Sequence, residues 1–390
     1  KHDAATWTIL VYMAADNDLD PFALEDLEEM KNASVNRRQV NTLVLLDRKG
    51  LTGTKVLEVS DKDTLELDCP NLNIEAGKEK ELNMADGNNL SNFLKFALEY
   101  YPADHYGLII WGHGTGFRSA SRAVAVDDSS AGLSMSKTEL RKAICSGMKN
   151  KLLDFIAFDT CYSAEIEEAY ELKNCVEYFA GNTGAQNLCG WNYETWFSNS
   201  FENYSSGQEI LAFLMKQYGG EGEEKFSLLD LKHVSTLFAS FDAFCKELSL
   251  KIKTKTEAEK VRAMLLSPLE VRRYLVLPSY NETSPLYLDM ENFVERMCQY
   301  DDDLSPYGKS VTDALYRTVV RNVKGQYPLG LYFCNVDFSD NVDMNFSAYC
   351  IQGSAADSLS LFVKDSAFYV LTKIKSGTLL DKIFSNYDWR

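Results

Sequence analysis

The sequence has 390 residues, with 40 basic and 57 acidic side chains and a formal net charge of −17. That balance argues against nucleic acid or an anionic membrane surface as partner. The length suits one elaborated domain or two, and no apolar run reaches the ~20 residues of a membrane-spanning helix.

Nine cysteines are present. They form no C-x-x-C pair and no Cys/His cluster with zinc spacing, so most read as small apolar core residues and no metal site is assigned. The odd number leaves at least one thiol unpaired within a single chain. The sequence opens at Lys1 rather than Met, which we read as a mature or trimmed form; a signal peptide is not visible.

Residues 6–15 read as a first buried strand, running into Asp16-Asn17-Asp18-Leu19-Asp20-Pro21. Asp20 and Pro21 suggest an N-cap and first turn, followed by an apolar helix face of Leu24, Leu27 and Met30. Asp16, Asp18 and Asp20 copy the start of a calcium loop, but Pro21 and Leu27 stand where such a loop needs Gly and Glu. The helix start is the better reading. Residues 40–47 form a second buried strand, and 54–59 and 65–67 shorter, more exposed ones. Residues 88–100 make an amphipathic helix with Leu90, Phe93, Leu94, Ala97 and Leu98 on one face.

A buried run from Tyr106 to Trp111 then leads to His113. The polar, Gly/Ser-rich segment 117–132 reads as a loop, 136–148 as a helix, and the apolar run before Cys161 as another buried strand. A helix over 163–173, a strand over 176–181 and a loop over 182–196 follow, with a further strand at 226–231. Beyond that the texture is helical over 233–251, 257–265, 285–300 and 306–322, strand-like over 328–336, and mainly helical over 355–376. Unbroken short apolar runs alternating with helices predict an α/β fold with a mostly parallel sheet. We expect a catalytic core over 1–232 and a mainly helical region over 233–390, with 328–336 returning a strand to the sheet.

Ligands of such sheets bind beyond the carboxyl ends of the strands, where His113 and Cys161 both stand. A thiol nucleophile needs a nearby base and donors for the oxyanion. Among four histidines, His2 is terminal, His105 precedes its strand and His233 opens a helix, which leaves His113. Gly112 and Gly114 flank it and allow close approach of a substrate. The N–H groups of Gly114 and Cys161 are the candidate oxyanion donors, and the helix after Cys161 would favour its thiolate. The dinucleotide fingerprint is not met at Gly112, Gly114 and Gly116. An inert strand-end cysteine and a structural histidine remain the bland alternative.

The segments Trp7-Thr8-Ile9-Leu10-Val11-Tyr12-Met13-Ala14-Ala15-Asp16-Asn17, Trp111-Gly112-His113-Gly114-Thr115-Gly116 and Phe158-Asp159-Thr160-Cys161 resemble the clostripain family of cysteine peptidases. Shorter echoes are Asp127-Asp128, Gly190-Trp191-Asn192-Tyr193, Tyr287-Leu288-Asp289 and Gly330-Leu331-Tyr332-Phe333. The resemblance implies a caspase-like α-β-α sandwich with an additional, largely helical C-terminal region. It implies a His113/Cys161 dyad and cleavage of peptides or proteins after Arg or Lys. Asp159 takes the place of the family's pocket carboxylate; the alternative is a hydrogen-bonded strand-end carboxylate. The family is usually secreted or surface-attached. No cofactor is expected for the reaction; the family's calcium dependence is variable, and Asp127 and Asp128 read as a solvated loop, with calcium ligands as the alternative.

Two features depart from the family's pattern. Segment 123–136, where relatives are often self-cleaved, holds no Lys or Arg, with Arg118, Arg122 and Lys137 only at its margins. Segment 182–192 holds no acidic residue, which leaves one carboxylate for the specificity pocket. A catalytically silent peptide binder and a Cys/His amidase acting on small substrates are the competing readings.

Overall fold

The computed structural model describes residues 2–50, 53–114, 124–128, 133–186, 190–217, 226–251, 260–261, 264, 273–274, 286–320 and 328–333. Most of the expected helix over 257–265, the one over 355–376, and Arg118 and Arg122 lie outside them.

In chain order the strands are β1 (Ala5–Ala15), β2 (Val40–Arg48), β3 (Thr54–Ser60), β4 (Asp63–Glu66), β5 (Ala103–Trp111), β6 (Val124–Asp127) and β7 (Leu133–Met135). They continue with β8 (Leu153–Asp159), β9 (Val176–Asn182), β10 (Phe226–Asp230), β11 (Arg273–Tyr274), β12 (Leu286–Asp289), β13 (Val319–Val320) and β14 (Gly330–Phe333). The helices are α1 (Asp20–Asn32), α2 (Gly87–Tyr100), α3 (Lys137–Gly147), α4 (Ile166–Leu172), α5 (Tyr193–Ser200), α6 (Gly207–Gln217), α7 (Val234–Lys251), α8 (Met290–Tyr300) and α9 (Ser305–Thr318).

The central sheet runs β13-β10-β9-β8-β5-β1-β2-β3-β4. Its five middle strands are parallel and its outer strands antiparallel. Side chains alternate along a strand, and β1 shows what this does. Leu10, Tyr12 and Ala14 enter one core with α2, α3, α4 and α7, whereas Trp7, Ile9, Val11 and Met13 enter another with α1, α5 and α6. The sheet is therefore buried on both faces, in three layers. This is the α-β-α architecture expected from its unbroken apolar runs.

Several local expectations are corrected. Asp20 is the first helical residue of α1, not its cap; its carboxylate instead takes both Arg48 donors at 2.8 Å. The buried face of α1 is Ala23, Asp26, Leu27 and Met30, the i, i+3, i+4, i+7 set, and Leu24 is 41% exposed. The expected loops hold β6 and the start of α5, and α6 follows. The strand at 330–333 does not return to the central sheet. It pairs with β12 in a separate sheet with β11, while β13 supplies the antiparallel edge beside β10. A four-residue strand such as β12 is too short to show a period, which is why 285–300 reads as one helix. Cys145 and Cys175 form a disulfide joining α3 to the turn before β9, rather than two separate apolar side chains.

Candidate active site

The register of β5 and β8 pairs Trp111 with Asp159. His113 and Cys161 therefore stand at matching positions, two residues past the last pair of adjacent parallel strands. The Gly112 N–H donates to the Asp159 carbonyl at 3.3 Å. Gly114 lies so close to Thr160 and Cys161 that any side chain would collide with the Cys161 carbonyl oxygen. Glycine at this position thus keeps the His113 segment against the Cys161 backbone.

Cys161 is partly buried, and its Sγ accepts the Gln186 N–H at 3.3 Å. Burial pushes the thiol above its ordinary range; the Gln186 N–H opposes this and Asp159 adds to it. The expected thiolate-favouring helix is not in place, since α4 starts only at Ile166, after Glu165. The chain instead turns through Tyr162 at φ 49°, a left-handed conformation uncommon for an aromatic residue. Bonds from Tyr162 N–H to Gly184 O (2.9 Å) and Ser163 N–H to Asn182 O (2.8 Å) hold that turn.

A carboxylate meets the imidazole. Asp18, in the β1–α1 connection, lies with Oδ1 2.5 Å from His113 Nε2. The bond to His113 holds the Asp18 carboxyl below its usual range against a small cost of burial. Asp18 was not singled out for this role in the sequence, where it enters only through the calcium-loop-like spacing of Asp16, Asp18 and Asp20 before the helix start.

Asp159 is buried, and both its oxygens are engaged: Oδ1 by the Gln186 amide and Oδ2 by the Tyr193 hydroxyl at 2.8 Å. Beside it lies Asp26 of α1, whose Oδ2 accepts the Trp111 indole N–H at 2.6 Å. A Cβ on Gly190, at φ +58°, would press on the Asp159 carboxyl at 3.3 Å and lie in contact with that of Asp26 at 3.5 Å. Burial pushes Asp159 up to about 6, against the donors Tyr193 and Gln186. Burial and then Asp159 push Asp26 up to about 8. The expected single carboxylate is thus accompanied by a second, supplied by a helix rather than by 182–192.

The family model described as the Clostripain family, peptidase C11, matches residues 11–347. The chain belongs to the clostripain family. Clostripain from Hathewaya histolytica is 29% identical over 198 residues, 45% of this chain but only 36% of that protein's length. An inactive zymogen of a C11 protease from Parabacteroides distasonis superposes with a TM-score of 0.64 at 19% identity, covering 93% of this chain and 98% of its own. A secreted C11 cysteine protease from Bacteroides thetaiotaomicron, solved with an irreversible peptide inhibitor, gives 0.61 at 20% identity, covering 92% and 100%. The likeness in fold covers more than nine-tenths of the chain.

Calcium binding and self-cleavage each turn on particular residues. For calcium, oxygens of Asp16, Asp47, Glu81 and Asp127 lie within 4.8 Å of one another. The Thr54 hydroxyl donates to Asp47 Oδ1 at 2.7 Å and the Met84 N–H to Asp127 Oδ2 at 2.9 Å, while the buried Asp47 Oδ2 has no hydrogen bond. An all-carboxylate set suits a hard cation such as calcium rather than zinc. Asp127 thus belongs to the candidate ligands, whereas Asp128 is exposed and faces Lys49 at 3.6 Å. For self-cleavage, Lys137 is buried in the first turn of α3, with Nζ 2.7 Å from Glu165 and 2.9 Å from Glu168. It cannot enter a specificity pocket while the fold is intact.

Proposed function

We propose that the protein is a cysteine endopeptidase that cleaves peptide bonds after Arg or Lys, with Cys161 as nucleophile and His113 as base. The observation that carries this is the matched position of the two residues past adjacent strand ends, with Gly114 packed on the Cys161 backbone. In the resting site the raised thiol keeps its proton. His113 takes that proton as Sγ attacks the scissile carbonyl carbon. The N–H groups of Gly114 and Cys161 hold the oxyanion. The imidazolium then gives its proton to the leaving amine as the C–N bond breaks. Water, deprotonated by His113, releases the acyl group and restores the thiol.

Asp159 and Asp26 support selectivity for a cation, because a guanidinium or ammonium group beside them would replace a costly buried proton balance with an ion pair. The disulfide between Cys145 and Cys175 supports an exported protein, since such bonds persist in oxidising compartments. Among the described residues no helix is long and apolar enough to cross a membrane.

The test is hydrolysis of fluorogenic peptides ending in Arg, Lys or Ala by the native chain, Cys161→Ala and His113→Ala. Turnover of the Arg and Lys peptides by the native chain alone is expected. Equal turnover by Cys161→Ala would remove the nucleophile assignment, and a preference for Ala would remove the specificity.

A further inference from the structure

We propose that Asp18 is a positioning residue for this reaction: by accepting the Nε2–H of His113, it fixes the ring tautomer that leaves Nδ1 as the base for Cys161. The proposal rests on the Cys161/His113 reading above and adds a third member to it.

The contact itself decides the tautomer. An ionised carboxylate can only accept hydrogen bonds. With Oδ1 of Asp18 2.5 Å from Nε2, that nitrogen must carry the hydrogen. A neutral imidazole has one N–H, so the lone pair is left on Nδ1. When Nδ1 takes the thiol proton, the ring becomes a cation and the same carboxylate faces a full positive charge. The contact is then stronger in the state formed during catalysis than in the resting one. An interaction of that kind raises kcat and leaves substrate binding nearly unchanged.

The fold holds Asp18 in place from both sides. The Asn17 side-chain amide donates to Ala14 O at 3.0 Å, and Leu19 N–H donates to Asn17 Oδ1 at 2.9 Å. Asp20 is clamped to Arg48 of β2. On the other side, Gly112 approaches the same strand end so closely that a Cβ would lie 2.9 Å from Ala14 O. The segments carrying Asp18 and His113 are therefore docked on one short stretch of β1, 95 residues apart in sequence. Lys49 also draws on Asp18, but its nearest paired carboxylate is Asp128. Asp18 is largely exposed, so its effect will be smaller than that of a buried orienting aspartate.

The experiment uses the full chain with Asp18→Ala and Asp18→Asn, read in two ways. Against an Arg peptide, Asp18→Ala is expected to lower kcat about tenfold to a hundredfold with KM within about twofold. Asp18→Asn, whose amide oxygen still accepts the bond without the charge, falls between. Separately, long-range 15N–1H NMR of the His113 ring is recorded with Cys161→Ala, alone and combined with Asp18→Ala. A single Nε2–H form that turns into a mixture of tautomers is expected. Wild-type kcat in Asp18→Ala, or an unchanged tautomer, overturns the proposal while a dead Cys161→Ala leaves the dyad standing. Full turnover by Cys161→Ala overturns the dyad and this proposal together. The NMR arm does not depend on finding a substrate.

Discussion

Asp26 and Asp159 converge on one point from α1 and β8: a Cβ on Gly190 would lie 3.5 Å from Oδ2 of Asp26 and 3.3 Å from Oδ2 of Asp159. Both carboxyls are held above their ordinary range, first by burial, and Asp26 further by Asp159 itself. Two buried like charges disfavour joint ionisation, so around neutral pH the pair keeps about one proton. Tyr193 and Gln186 donate to Asp159, which places the negative charge on Asp159 and the proton on Asp26.

Binding of a cationic side chain should therefore depend on pH through Asp159. Its carboxyl, pushed up to about 6, is ionised above that pH and neutral below it. KM for an Arg peptide should fall as pH rises through 6, and Asp159→Asn should raise KM about tenfold or more and flatten the profile. KM measured from pH 5 to 8 on both proteins checks this. A wild-type KM that is flat over that range would show that the carboxylate does not meet the substrate.

Stability should respond to Asp26 with a definite sign. Its folded pKa, about 8, lies above the ~3.9 of a free aspartate. The folded state then binds the proton more tightly than the unfolded chain. The stability contribution is full below the unfolded value and is lost as pH rises toward 8. Asp26→Asn keeps an acceptor for the Trp111 indole and removes the titration. Its stability relative to wild type should be about 1–3 kcal/mol better at pH 8 than at pH 5. Denaturant unfolding at the two pH values measures the difference, and an equal effect at both would contradict the assignment.

The parallel core was legible because β1, β5 and β8 are apolar on both faces, and a parallel sheet brings their ends together. That logic also led to His113 and Cys161, which stand at matching positions past neighbouring strand ends. It could not reach Asp18 or Asp26, whose partners lie 95 and 85 residues away. Asp26 did leave a trace: it occupies the i+3 place in the Ala23, Leu27, Met30 stripe, where an acid is out of pattern. The helix α6 also had a signal, since Ser206 caps Glu209 N–H at 3.3 Å in an S-x-x-E box.

Gly190 offers a test of the proposed specificity pocket that leaves Cys161 alone. At φ +58° an L side chain is strained by ~1 kcal/mol, and the added methyl group would crowd the Asp159 carboxyl and touch that of Asp26. Gly190→Ala should raise KM for an Arg peptide about tenfold, while alkylation of Cys161 by iodoacetamide changes less than about twofold. Parallel loss of both would indicate a general disruption of the site instead.

Lys137 connects stability to the integrity of the chain. Burial works against its charge, but Glu165 and Glu168 outweigh that and raise its pKa. Removing the ammonium would leave two nearly inaccessible carboxylates without their shared partner. Lys137→Met should therefore destabilise the fold by about 3–5 kcal/mol, read by denaturant unfolding. The same burial protects the bond after Lys137, because its side chain cannot leave the Glu165/Glu168 pair without that penalty. Prolonged incubation of the active chain should yield no fragment ending at Lys137, as followed by intact mass spectrometry. Such a fragment, appearing faster than unfolding, would mean that α3 opens at its first turn and that the ion pair does not hold it.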